Sequence, residues 1–377
     1  MKRILIYAAP FSYGPTGKAL SLASHLKDYY DIDFAGYDTS RELIALDALS
    51  TSKNFEPIPL ESLSDKRLES YSLIISCSDL GLALKARRLG IKSVMFDSVF
   101  WWRSPKVEDI LSIDAYIVQD FLGVNKAIDS LKNKPYNLHK VGAVFRKSID
   151  LVEKTSNQTK KILINYGGIE SPYIRVPINS KYPFIITDML SPLFKAKSDF
   201  EFLVTGRHHV MEALASEYQH HDNVRFKTLE HYAFLSCIGS SDLVITTPGI
   251  ETFYETVYLG KSSVLLLPHN STQYLQLLAL IDAGIESPIC HYGYYGRDFT
   301  YKRSIDESEE VRDVIENLNS LYSSQKFLSN YLDNLYDLIN NRLTKSDIYE
   351  VRKQQYLTKT GTNGGQSVVE IIDRLIG

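Results

Sequence analysis

Short apolar runs recur along the chain, and stretches with helical spacing lie between them. The first run is Lys2–Ala9, followed by Lys18–Tyr29, where apolar residues fall three and four apart. "DIDFAGYD" (Asp31–Asp38), "YSLIISCSD" (Tyr71–Asp79), "KSVMFD" (Lys92–Asp97), "AYIVQD" (Ala115–Asp120) and "HKVGAVF" (His139–Phe145) continue the series, with a helical segment at Leu80–Leu89. Runs apolar on both faces predict strands of a buried parallel sheet. Lys147–Lys161 is polar and charged and reads as a linker. A second series follows at Lys161–Gly168, Phe200–Arg207, Asn223–Leu229, Asp242–Gly249 and Ser262–Pro268. Helical stretches separate these runs at Ile186–Phe194, Val210–Tyr218, Tyr232–Ile238 and Ile250–Tyr258. Beyond Val311 the pattern is helical, near Val311–Tyr322, Lys326–Leu343 and Gln366–Ile376. The prediction is an α/β chain of two Rossmann-like, doubly wound domains facing a cleft, with C-terminal helices. The expected bounds are 1–150, 158–345 and a helical segment at 346–377.

Composition narrows the function. A chain of 377 residues exceeds one typical domain, and 44% hydrophobic residues suffice for two cores. The net charge of −3 argues against a broad nucleic-acid surface. Three cysteines without C-x-x-C spacing point to a reducing compartment and no zinc site. The apolar part of "MKRILIYAAPF" is too short for a secretory leader, and no run approaches a membrane span. A soluble cytoplasmic protein is expected, with no bound metal or cofactor of its own.

Two loops are candidates for chemistry. "AAPFSYGPTGKALSLASHL" (Ala8–Leu26) has the look of a P-loop, but Ser12 stands where its first glycine belongs and Ala19 where its Ser/Thr belongs. An ATPase or kinase is therefore a poor reading. "SSDLVITTPGIETFYETVYLGKSSVLLLPHNSTQYLQLLAL" (Ser240–Leu280) is more informative. A strand ends in Thr247-Pro248-Gly249 and a helix begins at once, so free N–H groups and the helix dipole favour an anion such as a diphosphate. Glu255 follows in the second turn, placed to accept from ribose hydroxyls. The next strand ends at Pro268, and His269, Asn270, Gln273 and Gln276 then offer neutral polar groups suited to a sugar.

Gly249, Thr252, Glu255, Gly260, Pro268 and Gln273 occupy the places of a motif that resembles the GT-B glycosyltransferases. The likeness is to the branch of the UDP-glycosyltransferases and the peptidoglycan N-acetylglucosaminyltransferase. The resemblance implies a nucleotide-sugar donor, with a UDP-sugar expected, held by the second domain. It places diphosphate at Pro248, Gly249 and Thr252, ribose at Glu255, and the sugar near His269, Asn270 and Gln273. The base would lie against Phe226 and the Leu229 backbone, while Gly167, Gly168 and Arg207 would face the phosphates. Retaining relatives usually carry two Glu eight positions apart on this helix, whereas Glu251 and Glu255 are four apart. Nucleotide-sugar 2-epimerases show a Gly-Gly-x-x-Glu-Glu pattern that Pro248-Gly249 does not match. An inverting, metal-independent transferase is therefore expected, ahead of an epimerase or hydrolase of the same fold or a non-catalytic nucleotide-sugar-binding protein.

The first domain would then bind a small-molecule acceptor, with Tyr13, Gly14, Gly17 and Lys18 in the loop after the first strand. Relatives often place a His there, and this loop has none. Asp97, at a strand end beside Phe100, Trp101 and Trp102, is the expected base, with Asp79 and Asp120 as second choices. The three rings would stack on a flat acceptor. "FDSVFWW" and "YIVQDFLGV" resemble cytosylglucuronate synthases, which implies a nucleobase or natural-product acceptor. Adjacent His208 and His209 are not spaced to share one ion, and the Tyr- and Gly-rich stretch His291–Tyr301 is an expected surface loop or lid.

Overall fold

The computed structural model describes residues 1–47, 55–59, 62–103, 105–153, 159–169, 181–295, 309, 316, 319–344 and 347–377. The expected helix near Val311–Tyr322, the middle of the linker and the far half of the stretch after His291 lie largely outside them. The chain forms two compact units. One comprises Met1–Leu151, Glu230–Tyr232 and Leu357–Gly377; the other comprises Val152–Leu229 and Ala233–Tyr356.

The first unit is built on seven strands: β1 (Arg3–Ala8), β2 (Asp31–Gly36), β3 (Phe55–Pro59), β4 (Leu73–Cys77), β5 (Lys92–Asp97), β6 (Ala115–Gln119) and β7 (Leu138–Val141). Their order is β3-β2-β1-β4-β5-β6-β7, and every pair is parallel. Side chains alternate across the sheet. Ile4, Ile6 and Ala8 join one apolar core, while Leu5, Tyr7 and Ala9 join the other. The first core is roofed by α1 (Gly14–Leu26), which contributes Ala19, Leu20, Leu22, Ala23 and Leu26. Six further helices follow in this unit: α2 (Thr39–Leu46), α3 (Asp65–Leu68), α4 (Leu80–Arg88), α5 (Phe100–Arg103), α6 (Val107–Leu111) and α7 (Val124–Asp129).

The second unit has five parallel strands: β8 (Lys160–Asn165), β9 (Phe200–Thr205), β10 (Val224–Lys227), β11 (Leu243–Thr246) and β12 (Ser263–Leu265). They lie in the order β10-β9-β8-β11-β12. The helices that follow β8 onward are α8 (Lys181–Ala196), α9 (His208–Glu217), α10 (His231–Ser240), α11 (Ile250–Tyr258), α12 (Ser271–Asp282), α13 (Gln325–Thr344), α14 (Ile348–Thr360) and α15 (Gly364–Ile376). Arg342 of α13 is buried among Glu286, Asp347 and Glu350, and buried Lys353 of α14 pairs with the same Glu286 and Glu350. Buried charges persist only when paired and hydrogen-bonded, so this cluster fixes how α13 and α14 seat on the unit.

The C-terminal segment is divided between the units. Residues up to Tyr356 pack with the second unit, whereas α15 belongs to the first. Val368, Val369, Ile371 and Ile372 of α15 enter the same core as α1, and the Tyr30 hydroxyl donates to Asp373 at 2.9 Å. The approach is close: a Cβ on Gly364 would stand 2.3 Å from the Gly142 carbonyl oxygen, so only glycine fits there.

Candidate functional site

In parallel α/β sheets ligands meet the chain beyond the carboxyl ends of the strands. The strand order of the second unit therefore decides which candidates become neighbours. Phe226 and Leu229 lie at and beyond β10, Arg207 follows β9, and Gly167 and Gly168 follow β8. Thr247–Gly249 follows β11, and Pro268–Gln273 follows β12. Apart from Thr252 and Glu255, which lie within α11, the residues expected to hold a donor thus fall into one row along the carboxyl ends of the strands. Four strand spacings of about 4.8 Å make that row roughly 19 Å long.

Between β8 and β12 in the row, β11 enters α11 through Gly249, whose backbone is extended and which supplies no capping side chain. The first N–H groups of a helix have no intrahelical partner. With the helix dipole they form a site for an anion. Asn165, at the end of β8, braces this turn. Its amide nitrogen donates to Thr246 Oγ1 at 3.1 Å and lies 3.5 Å from Thr252 Oγ1, while its Oδ1 accepts from the Gly167 N–H at 3.0 Å. Its carbonyl accepts from the Thr247 N–H at 3.1 Å. Gly167 has φ +68°, a conformation open to glycine, and it lets the chain turn sharply after β8. Asn165 was not anticipated. The polar residue closing the apolar run "KILIN" was the available signal.

Glu255 is buried on α11 at 2% exposure. Arg207 is half-buried at the start of α9. Phe226 is half-buried beside the Tyr218 ring, with centroids 6.1 Å apart, and Leu229 is half-buried. Gly168 is buried, and Pro248 lies within the turn itself.

After β12 the structure sorts His269, Asn270 and Gln273 into different tasks. Asn270 caps α12, its Oδ1 accepting from the Gln273 N–H at 2.9 Å. His269 is 1% exposed, so it does not itself offer an open face to a sugar. Its backbone N–H donates to Gln273 Oε1 at 3.1 Å, and its Nε2 lies 3.0 Å from Gln273 Nε2. Burial lowers the imidazole from 6.5 to about 4, so the ring is neutral at physiological pH. Gln273 is half-buried.

In the first unit the expected acceptor residues are less concentrated. The helix α1 already begins at Gly14, so Gly17 and Lys18 are not in a loop; both are buried within the helix. The Lys18 ammonium donates to the Val144 carbonyl at 2.8 Å. Its buried position ties α1 to the segment after β7. Tyr13 immediately precedes α1 and donates to Glu42 at 3.2 Å. Gly14 has no neighbour within 4 Å of where a Cβ would sit.

Asp97 ends β5, as the apolar pattern implied, but it is fully buried and accepts three hydrogen bonds. The Val99 N–H donates to Oδ1 at 2.9 Å, while Arg103 Nε at 3.1 Å and the Tyr116 hydroxyl at 2.7 Å donate to Oδ2. Burial and the adjacent carboxylate push the Tyr116 phenol well above its ordinary value, so it remains a donor. Phe100 is buried edge-on to Tyr116, with centroids 5.7 Å apart. Trp101 lies 5.9 Å from the Phe121 ring, and Trp102 is half-buried. The alternatives differ from Asp97 in exposure: Asp79 caps α4 through the Leu82 N–H, and Asp120 pairs with Lys140 at 3.0 Å, both remaining half-buried. Among the described residues, no group of three His, Cys, Asp or Glu is arranged to hold a metal ion, and no helix is long and apolar enough to cross a membrane.

No family model matches the sequence, and no curated protein matches it. The fold does have matches among solved structures. Arabidopsis thaliana UGT89C1, complexed with UDP, aligns over 99% of this chain and 99% of its own, with 11% identity and a TM-score of 0.57. The UDP-GlcNAc 2-epimerase from Neisseria meningitidis, bound to UDP-GlcNAc, aligns over 99% and 100%, with 11% identity and a TM-score of 0.53. MnaA of S. aureus, in a co-structure with UDP, aligns over 88% and 91%, with 12% identity and a TM-score of 0.51. The chain is similar to these proteins in fold, and that fold is GT-B.

Proposed function

We propose that this chain is an inverting, metal-independent glycosyltransferase that moves a sugar from a UDP-sugar to a small-molecule acceptor. The observation that carries the reading is the start of α11 at Gly249, which lies between β8 and β12 in the strand-end row, is braced by Asn165 and has polar groups on both sides. A diphosphate at Gly249–Thr252 would place a sugar toward Gln273 on β12's side and a base toward Phe226 on β10's side. Glu255 would hold the ribose, and Gly167, Gly168 and Arg207 would lie along the phosphates. Backbone N–H groups would stabilise the leaving diphosphate, the task a cation performs elsewhere. Two fold matches were solved with UDP and a third with UDP-GlcNAc, which supports the choice of nucleotide.

The first unit would bind the acceptor, a nucleobase or natural-product intermediate, near Tyr13, Gly14, Trp101 and Trp102. The reaction would take place in the cytoplasm. The match to an epimerase favours a second reading, isomerisation of a UDP-sugar without an acceptor.

A thermal-shift panel of UDP, GDP, dTDP, ADP and UDP-sugars, with and without EDTA, tests the donor assignment. A shift specific to uridine nucleotides and indifferent to EDTA is expected. UDP release that requires an added acceptor supports transfer, whereas conversion of UDP-GlcNAc alone selects the epimerase. A chain that shifts with none of the nucleotides is not acting on them.

A further inference from the structure

The Gln273 amide can point in only one sense. Its oxygen faces the His269 backbone N–H at 3.1 Å, and a flipped amide would set two donors against each other there. The NH2 end therefore faces His269 Nε2 at 3.0 Å, which must be the acceptor. This fixes the imidazole tautomer: Nδ1 carries the proton. Among the described residues Nδ1 is buried without a hydrogen-bond partner, and the Tyr182 ring packs against the imidazole with centroids 5.0 Å apart. Among the described residues, one N–H of the Gln273 amide is left uncommitted on a half-buried side chain.

The backbone beneath this pair is pinned as well. The Tyr182 hydroxyl donates to the Leu267 carbonyl at 2.5 Å, and the Tyr292 hydroxyl donates to the Pro268 carbonyl. Tyr182 comes from α8 and Tyr292 from the segment after α12. Both phenols are buried, and their carbonyl partners immediately precede His269. Two hydroxyls from separate segments thus hold the turn whose next residue sets the amide.

We propose that His269 is a positioning residue that locks the Gln273 amide so that its free N–H serves the donor sugar, with Tyr182 and Tyr292 holding the turn that carries it. The inference rests on the donor-site reading above. His269 acts through Gln273, and the site then presents a neutral hydrogen-bond donor of fixed direction. A directed donor of this kind discriminates sugars by the position of an acceptor oxygen.

The test uses the full chain with UDP, UDP-glucose and UDP-N-acetylglucosamine as probes, followed by calorimetry. The quantity read is the sugar increment, the ratio of the UDP dissociation constant to that of the better sugar nucleotide. Gln273→Ala and His269→Phe are both expected to reduce the increment about 10-fold while leaving UDP affinity within about twofold. His269→Gln, which retains an acceptor, should recover part of it, and Tyr292→Phe should lower it less than His269→Phe. Nitrogen chemical shifts of the wild-type imidazole provide a readout that no ligand influences. They should show Nδ1 protonated and Nε2 bare, and Gln273→Ala should abolish that preference.

If Gln273→Ala lowers the increment and folded His269→Phe does not, the positioning role is overturned. An Nε2-protonated imidazole in the wild type overturns it too. If Gln273→Ala leaves the increment intact, or the wild type shows none, the fault lies with the sugar placement itself.

Discussion

The carboxylate of Asp97 offers the sharpest perturbation. Replacing it with Asn preserves shape and exchanges one acceptor oxygen for an NH2. Oδ1 accepts from the Val99 N–H, and Oδ2 accepts from both Arg103 and Tyr116. Whichever way the new amide turns, one of those donor sets faces a donor. With Oδ1 retained, the Arg103 guanidinium and the Tyr116 hydroxyl both lose their acceptor; with the other orientation, the Val99 N–H does. A buried donor left unsatisfied costs about 1–3 kcal/mol, and breaking a buried ion pair about 3–5. Arg103 retains 25% exposure and recovers part of this through water, so about 2–4 kcal/mol is expected. For a domain of this size that is roughly 4–16 °C in melting temperature. Thermal unfolding by circular dichroism, followed by UDP binding and turnover at a temperature where the variant remains folded, separates the two roles of the residue. A pinning role predicts a lowered melting temperature with turnover per folded molecule largely kept. A wild-type melting temperature refutes the hydrogen-bond reasoning. Turnover lost per folded molecule while UDP binding is kept means that pinning of the loop does not by itself account for the residue.

Other predictions follow from the same geometry. Glu255→Gln should weaken UDP binding about 10–100-fold, because a hydrogen bond to a charged group is worth about 1.5–3 kcal/mol; calorimetry with UDP and deoxyuridine diphosphate measures it, and equal losses for both would remove the ribose from Glu255. Gly364→Ala forces a Cβ to within 2.3 Å of a backbone oxygen and should cost about 1–3 kcal/mol of overpacking, seen as faster protease release of α15. Because burial lowers the folded His269 imidazole to about 4 from 6.5, the unfolded chain binds a proton that the folded one refuses. Stability should be complete above about pH 6.5 and decline toward pH 4 by up to about 3 kcal/mol, and His269→Phe should flatten that slope in denaturant titrations.

Much of this fold was legible because parallel strands buried on both faces leave continuous apolar runs. β1 and β5 stand within a residue of their expected positions. The strand β3 went unseen for a reason in its residues. Phe55–Pro59 carries Pro57 and Pro59, which demote a run read on its own. In the sheet it is an edge strand, where missing N–H groups can face away from the ladder. The return of α15 to the first unit was likewise out of reach, since an amphipathic helix announces that it has an apolar face and not which core receives it.

Side-chain roles were less legible than strand ends, and the reason is the same at three positions. Residue type gives the chemistry available, but burial and partners decide how it is spent. Lys18 had the charge to attract an anion, yet α1 begins four residues earlier than it, which turns the ammonium inward onto the Val144 carbonyl. Asp97 had the position of a base, and the turn that follows it claims its lone pairs. His269 had the polarity to meet a sugar, and its burial makes it the acceptor that orients Gln273 instead. Asp97 holds the loop after β5 through the Val99 N–H, Lys18 ties α1 to the segment after β7, and His269 orients the Gln273 side chain. Such loops carry the function of this fold class, and a loop that must present atoms at fixed positions needs buried polar anchors to do so. The residues that contact ligand are therefore to be sought one hydrogen bond outward from these anchors: at Gln273 beyond His269, and at the α11 N-terminus beyond Asn165.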